Sequence, residues 1–335
     1  MKPECSQAKE SLSVVISFAS SNRFGDAIEL VEALKEQDDG TMDIIVVVGR
    51  FEYLFHKAKD ALQMTSARVV FNAGKYGLSS QRNFALQYTK GSIIAFLDDD
   101  VIPSSRWTKA VHKTFHNKSI IGVTGPVDPL WYNGHKAIPD NINWVISCTT
   151  WTSFRDGQII PYAYGGNMAF RRWVFDSGLR FEESIGLGTS RFVIGADTEF
   201  SLRAREVSGG KIVWNQEARV LHKIRPYRTS MEYLTRRSIS VGVAQNIIRV
   251  TTVEINRNAR STGVRALLVS PSKLFAPSGG LNDAAQGLRN VIRVFVIIAS
   301  LGVGYLYGGL FYKQTSRGTH RIAYSKSPMK EGLST

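Results

Sequence analysis

The sequence predicts an α/β fold: a mainly parallel sheet flanked by helices on both faces, with a basic, apolar helical appendage at its C-terminal end. Three observations carry this. Short apolar runs alternate with helix-period segments from Leu12 to Asp100, three consecutive aspartates close one of those runs, and positive charge gathers beside the most hydrophobic stretch in the last third. A length of 335 residues accommodates one large domain plus an appendage. A hydrophobic content of 43% with 21% charged residues excludes wholesale disorder.

The elements follow in order. Leu12–Phe18 reads as a strand, and 26–36 as a helix with Ile28, Val31 and Leu34 on one face. Residues 43–48 form a second strand, 52–63 a helix and 68–71 a third strand. Residues 79–88 form a helix with Ser79 as a plausible N-cap, and Ser92-Ile93-Ile94-Ala95-Phe96-Leu97 is a buried strand after Gly91. Parallel strands need helical crossovers, so this rhythm argues for a sheet covered on both faces. A helix over 105–115 and a strand over 120–125 come next. Residues 126–152 read as irregular and dense in aromatics (Trp131, Tyr132, Trp144, Trp151), which suits a cleft wall or lid and equally a satellite core. A short strand over 165–170, a helix from about Asp197 that ends before Gly209-Gly210, strands at 211–214 and 218–222, and a long helix from Ser230 toward Ile255 complete the reading.

Asp98-Asp99-Asp100 ends the fourth strand. Three crowded carboxylates repel one another, and either shift their pKa values or recruit a cation. A hard divalent ion with oxygen ligands relieves the repulsion and also holds phosphate. An acidic turn capping the next helix explains the triplet as well, but open α/β sheets bind ligands beyond the carboxyl ends of their strands.

The formal net charge of +14 points to an anionic partner. Between Arg219 and Arg265 ten Lys or Arg stand against only Glu232 and Glu254, and the tail after Tyr312 adds five more against Glu331. Basic charge flanking apolar helix suits an anionic membrane surface. Val294–Tyr312 is a stretch of 19 residues without a charge. As a helix it spans about 28 Å at roughly 1.5 Å per residue, near a hydrocarbon core of about 30 Å. A buried core helix is the other reading. Gly304 and Gly308 form a GxxxG pair, a weak signal for helix association and hence for a homo-oligomer. Residues 266–276 suit an interfacial helix. Cys5 and Cys148 form no CxxC pair, so neither a disulfide framework nor a zinc site is implied. The run at Leu12–Phe18 is too short for a signal peptide core, which leaves a membrane-associated protein with a cytoplasmic catalytic domain as the expectation. The expected division is a catalytic domain over 1–228, a basic amphipathic helical region over 229–290, an apolar helix over 291–313 and a basic tail over 314–335.

Segments in order then carry a resemblance. They are Ser13-Val14-Val15-Ile16-Ser17 with Asn22-Arg23, Gly77-Leu78-Ser79-Ser80-Gln81-Arg82-Asn83, Phe96-Leu97-Asp98-Asp99-Asp100 and Gly165-Gly166-Asn167-Met168-Ala169-Phe170-Arg171-Arg172. Gly195-Ala196-Asp197-Thr198-Glu199-Phe200 and Val220-Leu221-His222 follow. Together, over residues 12–233, they resemble the GT-A inverting glycosyltransferases of family 2. The C-terminal third resembles, more loosely, members that act on lipid-linked acceptors.

The resemblance implies a DxD element at Asp98 and Asp100, with Mn2+ or Mg2+ held by Asp98, Asp100 and His222. A lone His is more often structural. It implies Asp197 as the base, because a single inverting displacement needs one group to take the acceptor proton; a plain N-cap aspartate is the alternative. Donor contacts are implied at Ser17, Ala19, Asn22, Arg23, Arg82, Asn83, Asp98, Asp99, Gly166 and Asn167. Departures are visible: Ser17-Phe18-Ala19 stands where many members carry Pro-Thr-Tyr, Val48-Gly49-Arg50 replaces an acidic pair that contacts the nucleotide base, and Ala196 replaces a common Glu. Arg50 leaves room for another base or a charged sugar.

The implied partners are a nucleotide-sugar donor, a polyprenyl-linked glycan or similar acceptor, and the membrane surface. A rival acceptor is polyprenyl phosphate itself, which needs no base. A nucleotidyltransferase is a remoter alternative, lacking a Gly-rich activating loop. No nucleic-acid partner is expected, since no recognition motif accompanies the charge.

Overall fold

The computed structural model describes residues 10–37, 42–132, 134, 138–186, 194–255 and 281–315. Its strands are β1 (Leu12–Phe18), β2 (Asp43–Gly49), β3 (Arg68–Asn72), β4 (Ile93–Asp98), β5 (Val101–Pro103), β6 (Ile120–Thr124), β7 (Val127–Trp131), β8 (Ile159–Ile160), β9 (Asn167–Arg171), β10 (Lys211–Trp214) and β11 (Val220–Ile224). Its α-helices are α1 (Phe24–Lys35), α2 (Glu52–Leu62), α3 (Leu78–Ala85), α4 (Trp107–Phe115), α5 (Arg172–Asp176), α6 (Ala196–Ser208), α7 (Met231–Ile255) and α8 (Leu281–Thr315). Eight strands form one sheet in the order β3-β2-β1-β4-β9-β6-β10-β8, and β5-β11-β7 form a small second sheet.

The first four strands of that order run parallel, joined by α1, α2 and α3. β9 is inserted antiparallel between β4 and β6, while β6 and β10 pair in parallel. The sheet is therefore mostly parallel, as the crossover rhythm implies. Its central strands are buried end to end, and their β-branched side chains feed two apolar clusters, one on each face. On one face Phe96, Phe170, Phe175, Phe181 and Phe200 pack ring on ring, with Phe181 and Phe200 stacked at 4.3 Å between centroids.

The stretch expected to be irregular is more regular than its sequence suggests. It contains β7 and a 3-10 turn over Asp140–Ile146. Pro129 disguises the strand, but β7 is an edge of the small sheet, where a residue lacking an N–H is tolerated. Ile138, Ile142, Val145 and Ile146 are buried in the main cluster, with Trp131 and Trp144 packed against it, so the core reading of the aromatics holds there.

Helices α7 and α8 pack face to face through glycine. A Cβ on Gly242 would stand 2.1 Å from the Leu301 carbonyl oxygen, and one on Gly304 would stand 2.0 Å from that of Ile239. The GxxxG pair is thus engaged within the chain, with Gly308 against Val243. Val294 and Ile297 of α8 join the main core cluster, whereas Phe295, Ile298, Val303 and Leu306 face outward. Arg289–Gly309 is the one helical stretch among the described residues that is long and apolar enough to cross a membrane by length and composition. The interfacial helix expected over 266–276 and nearly all of the basic tail lie outside the described residues.

Candidate active site

β4 ends at the first aspartate, and the small sheet completes the site around the third. Pairing of β4 with β1 sets Asp98 opposite Ser17. The antiparallel pairing of β11 with β5 aligns His222 with Val101, and the Lys223 N–H donates to the Asp100 carbonyl at 2.9 Å. That register brings the buried His222 to Asp100, with Nε2 3.3 Å from Oδ1.

Arginines close the acidic end. Arg23 Nη1 donates to Asp99 Oδ1 at 2.6 Å and lies 3.3 Å from Asp100 Oδ2. Arg228 Nη2 donates to Asp100 Oδ2 at 2.9 Å, and its Nη1 lies 2.8 Å from His222 Nε2. A guanidinium only donates, so Nε2 accepts there and the ring proton sits on Nδ1, 3.7 Å from Cys148 Sγ. Asp100 Oδ1 is then left buried without a hydrogen-bond partner, facing a ring nitrogen that carries a lone pair. Nε2 has a single lone pair, so this oxygen and ring nitrogen fit a divalent cation once Arg228 Nη1 gives up its contact with Nε2. Among the described residues no three His, Cys, Asp or Glu side chains form a metal-holding group. The protein donors that converge are therefore Asp100 and His222, with Asp98 engaged elsewhere.

The charges have distinct causes. Burial works against ionisation of Asp100, but His222 in its protonated form, Arg228 and Arg23 outweigh it and hold its carboxyl well below the usual carboxylate range. Burial pushes Asp99 up to about 7 against the pull of Arg23, with the Asp100 charge adding to the rise. Burial also raises the Cys148 thiol, which keeps it protonated and inert.

The second half of the site lies at the start of β9. The Gly165 N–H donates to Asp197 Oδ2 at 2.7 Å, and the Asp98 N–H reaches the Gly166 carbonyl at 3.4 Å. Arg82 Nη2 ties the two together, donating to Gly165 O at 2.7 Å and Asp98 Oδ1 at 3.2 Å. Asp197 sits in the first turn of α6, whose N-cap Gly195 has φ 100, a conformation that favours glycine. A Cβ there would also press on Ile248 and Ala244 of α7. Tyr162 and Tyr164 neighbour Asp197; burial and that carboxylate raise both phenols, Tyr162 to about 12.

The structure therefore brings Asp98, Asp99, Asp100, His222, Arg23, Arg82, Gly166 and Asp197 into one neighbourhood. Ser17 adjoins it, with a buried Oγ that lacks a hydrogen-bond partner. Ala19 and Asn22 lie just past β1; Asn22 is exposed and its carbonyl accepts from Arg225 Nη2 at 2.8 Å.

Two expected donor contacts are corrected. The Asn83 amide is engaged by the Phe181 main chain at both ends, at 2.9 Å each, so it pins a loop. Asn167 is buried, accepts from Trp107 Nε1 at 2.9 Å and donates to Ala218 O at 2.7 Å, so its amide faces the sheet interior. Alternation along β9 turns that side chain inward. Sequence reasoning misses Arg228, Cys148, Tyr162 and Tyr164, and also Arg237 of α7, whose Nη2 donates to Ser147 Oγ at 2.9 Å. The two arginines read from sequence only as part of a basic flank.

Residues 13–179 match the sequence profile of Glycosyl transferase family 2. A curated relative, the glucosyl-dolichyl phosphate glucuronosyltransferase of Haloferax volcanii, is 25% identical over 303 residues, covering 89% of this chain and 96% of its own. The fold is similar to that of mannosyltransferase PcManGT from Pyrobaculum calidifontis, solved with GDP-Man and Mn2+, at TM-score 0.55 and 13% identity over 92% of this chain and 88% of that one. It is also similar to S. aureus TarS 1-349 in complex with UDP-GlcNAc, at TM-score 0.51 and 13% identity over 91% and 92%.

Proposed function

We propose, on the premise that this chain carries a glycosyltransferase family 2 domain on a GT-A-like fold and is a glycosyltransferase, that it inverts a sugar from a nucleoside diphosphate onto a hydroxyl of a polyprenyl-phosphate-linked sugar. The observation that carries this is the joint at Gly165-Gly166, which holds Asp197 beside the Asp98–Asp100 turn. A donor site and a base must share one hollow for a single displacement. The Haloferax relative, whose name specifies a lipid-linked sugar as acceptor, supports the hydroxyl over a bare lipid phosphate.

In this reading Asp197 takes the proton of the acceptor hydroxyl as the new glycosidic bond forms. The Gly165 N–H fixes its Oδ2, leaving the other oxygen to face the acceptor. Arg82 holds Asp98 and the Gly165 carbonyl in place, so donor and base stay in register. Arg23 and Arg228 add positive charge where the diphosphate departs. Asp100 and His222 would hold a divalent cation, Mn2+ or Mg2+, which as a Lewis acid offsets charge on the leaving diphosphate. PcManGT, solved with Mn2+, is consistent with that choice.

The outward row Phe295, Ile298, Val303 and Leu306 of α8, beside Arg289 and Arg293, suits an anionic membrane surface where a lipid-linked acceptor resides. The test is a screen of UDP- and GDP-linked hexoses and hexuronates against the full chain in detergent, with glucosyl-dolichyl phosphate as acceptor and Mn2+ present or chelated. Transfer from one donor, with metal-dependent thermal stabilisation, is expected. The absence of both for every donor sinks the reading.

A further inference from the structure

Four arginines approach the site, and three of them meet a carboxylate. Arg82 pairs with Asp98, Arg23 with Asp99 and Asp100, and Arg228 with Asp100. The fourth, Arg237, stands on α7 and differs. Among the described residues its Nη2 donates to a neutral group, Ser147 Oγ at 2.9 Å, and its Nε is enclosed without a hydrogen-bond partner. Among the described residues no carboxylate lies within ion-pair distance of it. Ser147 precedes Cys148, whose Sγ lies 3.7 Å from His222 Nδ1, so Arg237 stands beside the Asp100–His222 end of the site; Tyr233 is the first charge that acts on it, and Arg228 opposes it. Burial lowers its pKa, as expected for a guanidinium short of compensation.

Arg237 is half-buried with its Nε enclosed, and a partly enclosed charge without a counter-ion is costly, so proteins seldom keep one without use. Its support is unusual too. Ser147, which fixes Nη2, ends the 3-10 turn at φ 65, a left-handed conformation uncommon for a residue with a side chain. Strain of this kind gathers where a group must be aimed.

We infer that Arg237 receives an oxyanion of the substrate at the reacting end of the site and thereby selects a charged substrate. This deepens the proposed transferase reading and rests on it. Two sources share the chemistry: the carboxylate of a hexuronate donor, and the phosphate of the lipid-linked acceptor. The place of Arg237 beside the Asp100–His222 end suits the first, and its place on the helix that packs with apolar α8 suits the second. A planar fork of N–H donors fits either oxyanion better than a lysine would.

The test compares the full-length wild type with Arg237→Gln and Arg237→Lys. Without ligand, Arg237→Gln is expected to keep or raise the melting temperature, since an uncompensated charge is removed. With UDP-glucuronate and UDP-glucose as donors and glucosyl-dolichyl phosphate as acceptor, Arg237→Gln is expected to lose roughly 10- to 100-fold in kcat/KM, the scale of a hydrogen bond to a charged group. Arg237→Lys recovers part of it. A loss confined to the uronate assigns the donor carboxylate; an unchanged donor preference with a raised KM for the lipid assigns the acceptor phosphate. A lower melting temperature with equal losses for both donors and no change in the acceptor KM makes Arg237 structural and overturns the proposal. If the wild type turns over no nucleotide sugar, the transferase reading fails separately. Sodium glucuronate and inorganic phosphate then decide, because equal thermal stabilisation of wild type and Arg237→Gln by both, or none of either protein, overturns oxyanion binding.

Discussion

Asp98 and Asp197, about a hundred positions apart in the chain, are tied to consecutive residues of one turn: Gly166 accepts from the Asp98 N–H, and Gly165 donates to the Asp197 carboxylate. The spacing between the two carboxylates is therefore set through main chain, which a side-chain swap elsewhere cannot easily relax.

Gly165→Ala tests that link. A Cβ there would stand 3.0 Å from Asp197 Oδ2 and 3.1 Å from its Cγ, so the carboxylate must shift. The expected result is a fall in kcat of about tenfold or more with the melting temperature nearly kept, because small misplacements of a reacting group are costly. Steady-state kinetics alongside thermal melts check it.

The acidic turn predicts a response to cations. Asp100 Oδ1 lacks a partner, so Mn2+ with a nucleoside diphosphate is expected to raise the melting temperature of the wild type, and chelation to reverse it. Asp100→Ala is expected to abolish the response and to cost about 3–5 kcal/mol of stability, because Arg228 loses its buried counter-charge. Denaturant melts with and without metal measure both.

Asp99 predicts a pH dependence. Its folded pKa, about 7, lies above the ordinary carboxylate value. Between those two values the unfolded chain ionises this group while the folded chain keeps the proton. The stability it contributes is therefore full at acid pH and is lost as pH rises toward and through 7. Relative to Asp99→Asn, the wild type is expected to lose stability from pH 5 to pH 8, as read by urea melts across that range.

The α7–α8 contact predicts a cost that is structural and not catalytic. Gly242→Val sets a branched side chain against the main chain of Leu301 and Tyr305. Overpacking of this kind costs roughly 1–3 kcal/mol or more, since backbone has little room to yield. A lowered melting temperature, with KM for donor retained at low temperature, is the expected pattern.

Much of the frame was legible because its signals are local. β1 and β10 coincide with their apolar runs, and α6 ends at Gly209, where φ 66 suits a glycine. The aspartate turn, His222 and Asp197, named from motif order, lie in one neighbourhood of the fold. What stayed hidden depends on register and on side-chain direction. Asn167 belongs to the right segment, but only the pairing of β9 shows its amide turned to Trp107 and Ala218. β5 has three residues, too few for a pattern, yet it aligns β11 so that His222 meets Asp100. Arg237 shares its composition with a merely basic helix, and its lack of a carboxylate partner among the described residues sets it apart.

The most direct measurement of the central claim is single-turnover transfer to glucosyl-dolichyl phosphate by Asp197→Asn, with donor binding followed in parallel. The account predicts a fall of about 10²- to 10⁴-fold in the transfer rate, the range for removing a general base, with donor affinity held within a few-fold. Transfer at the wild-type rate by the Asn variant would contradict it, because the acceptor would then need no carboxylate to release its proton.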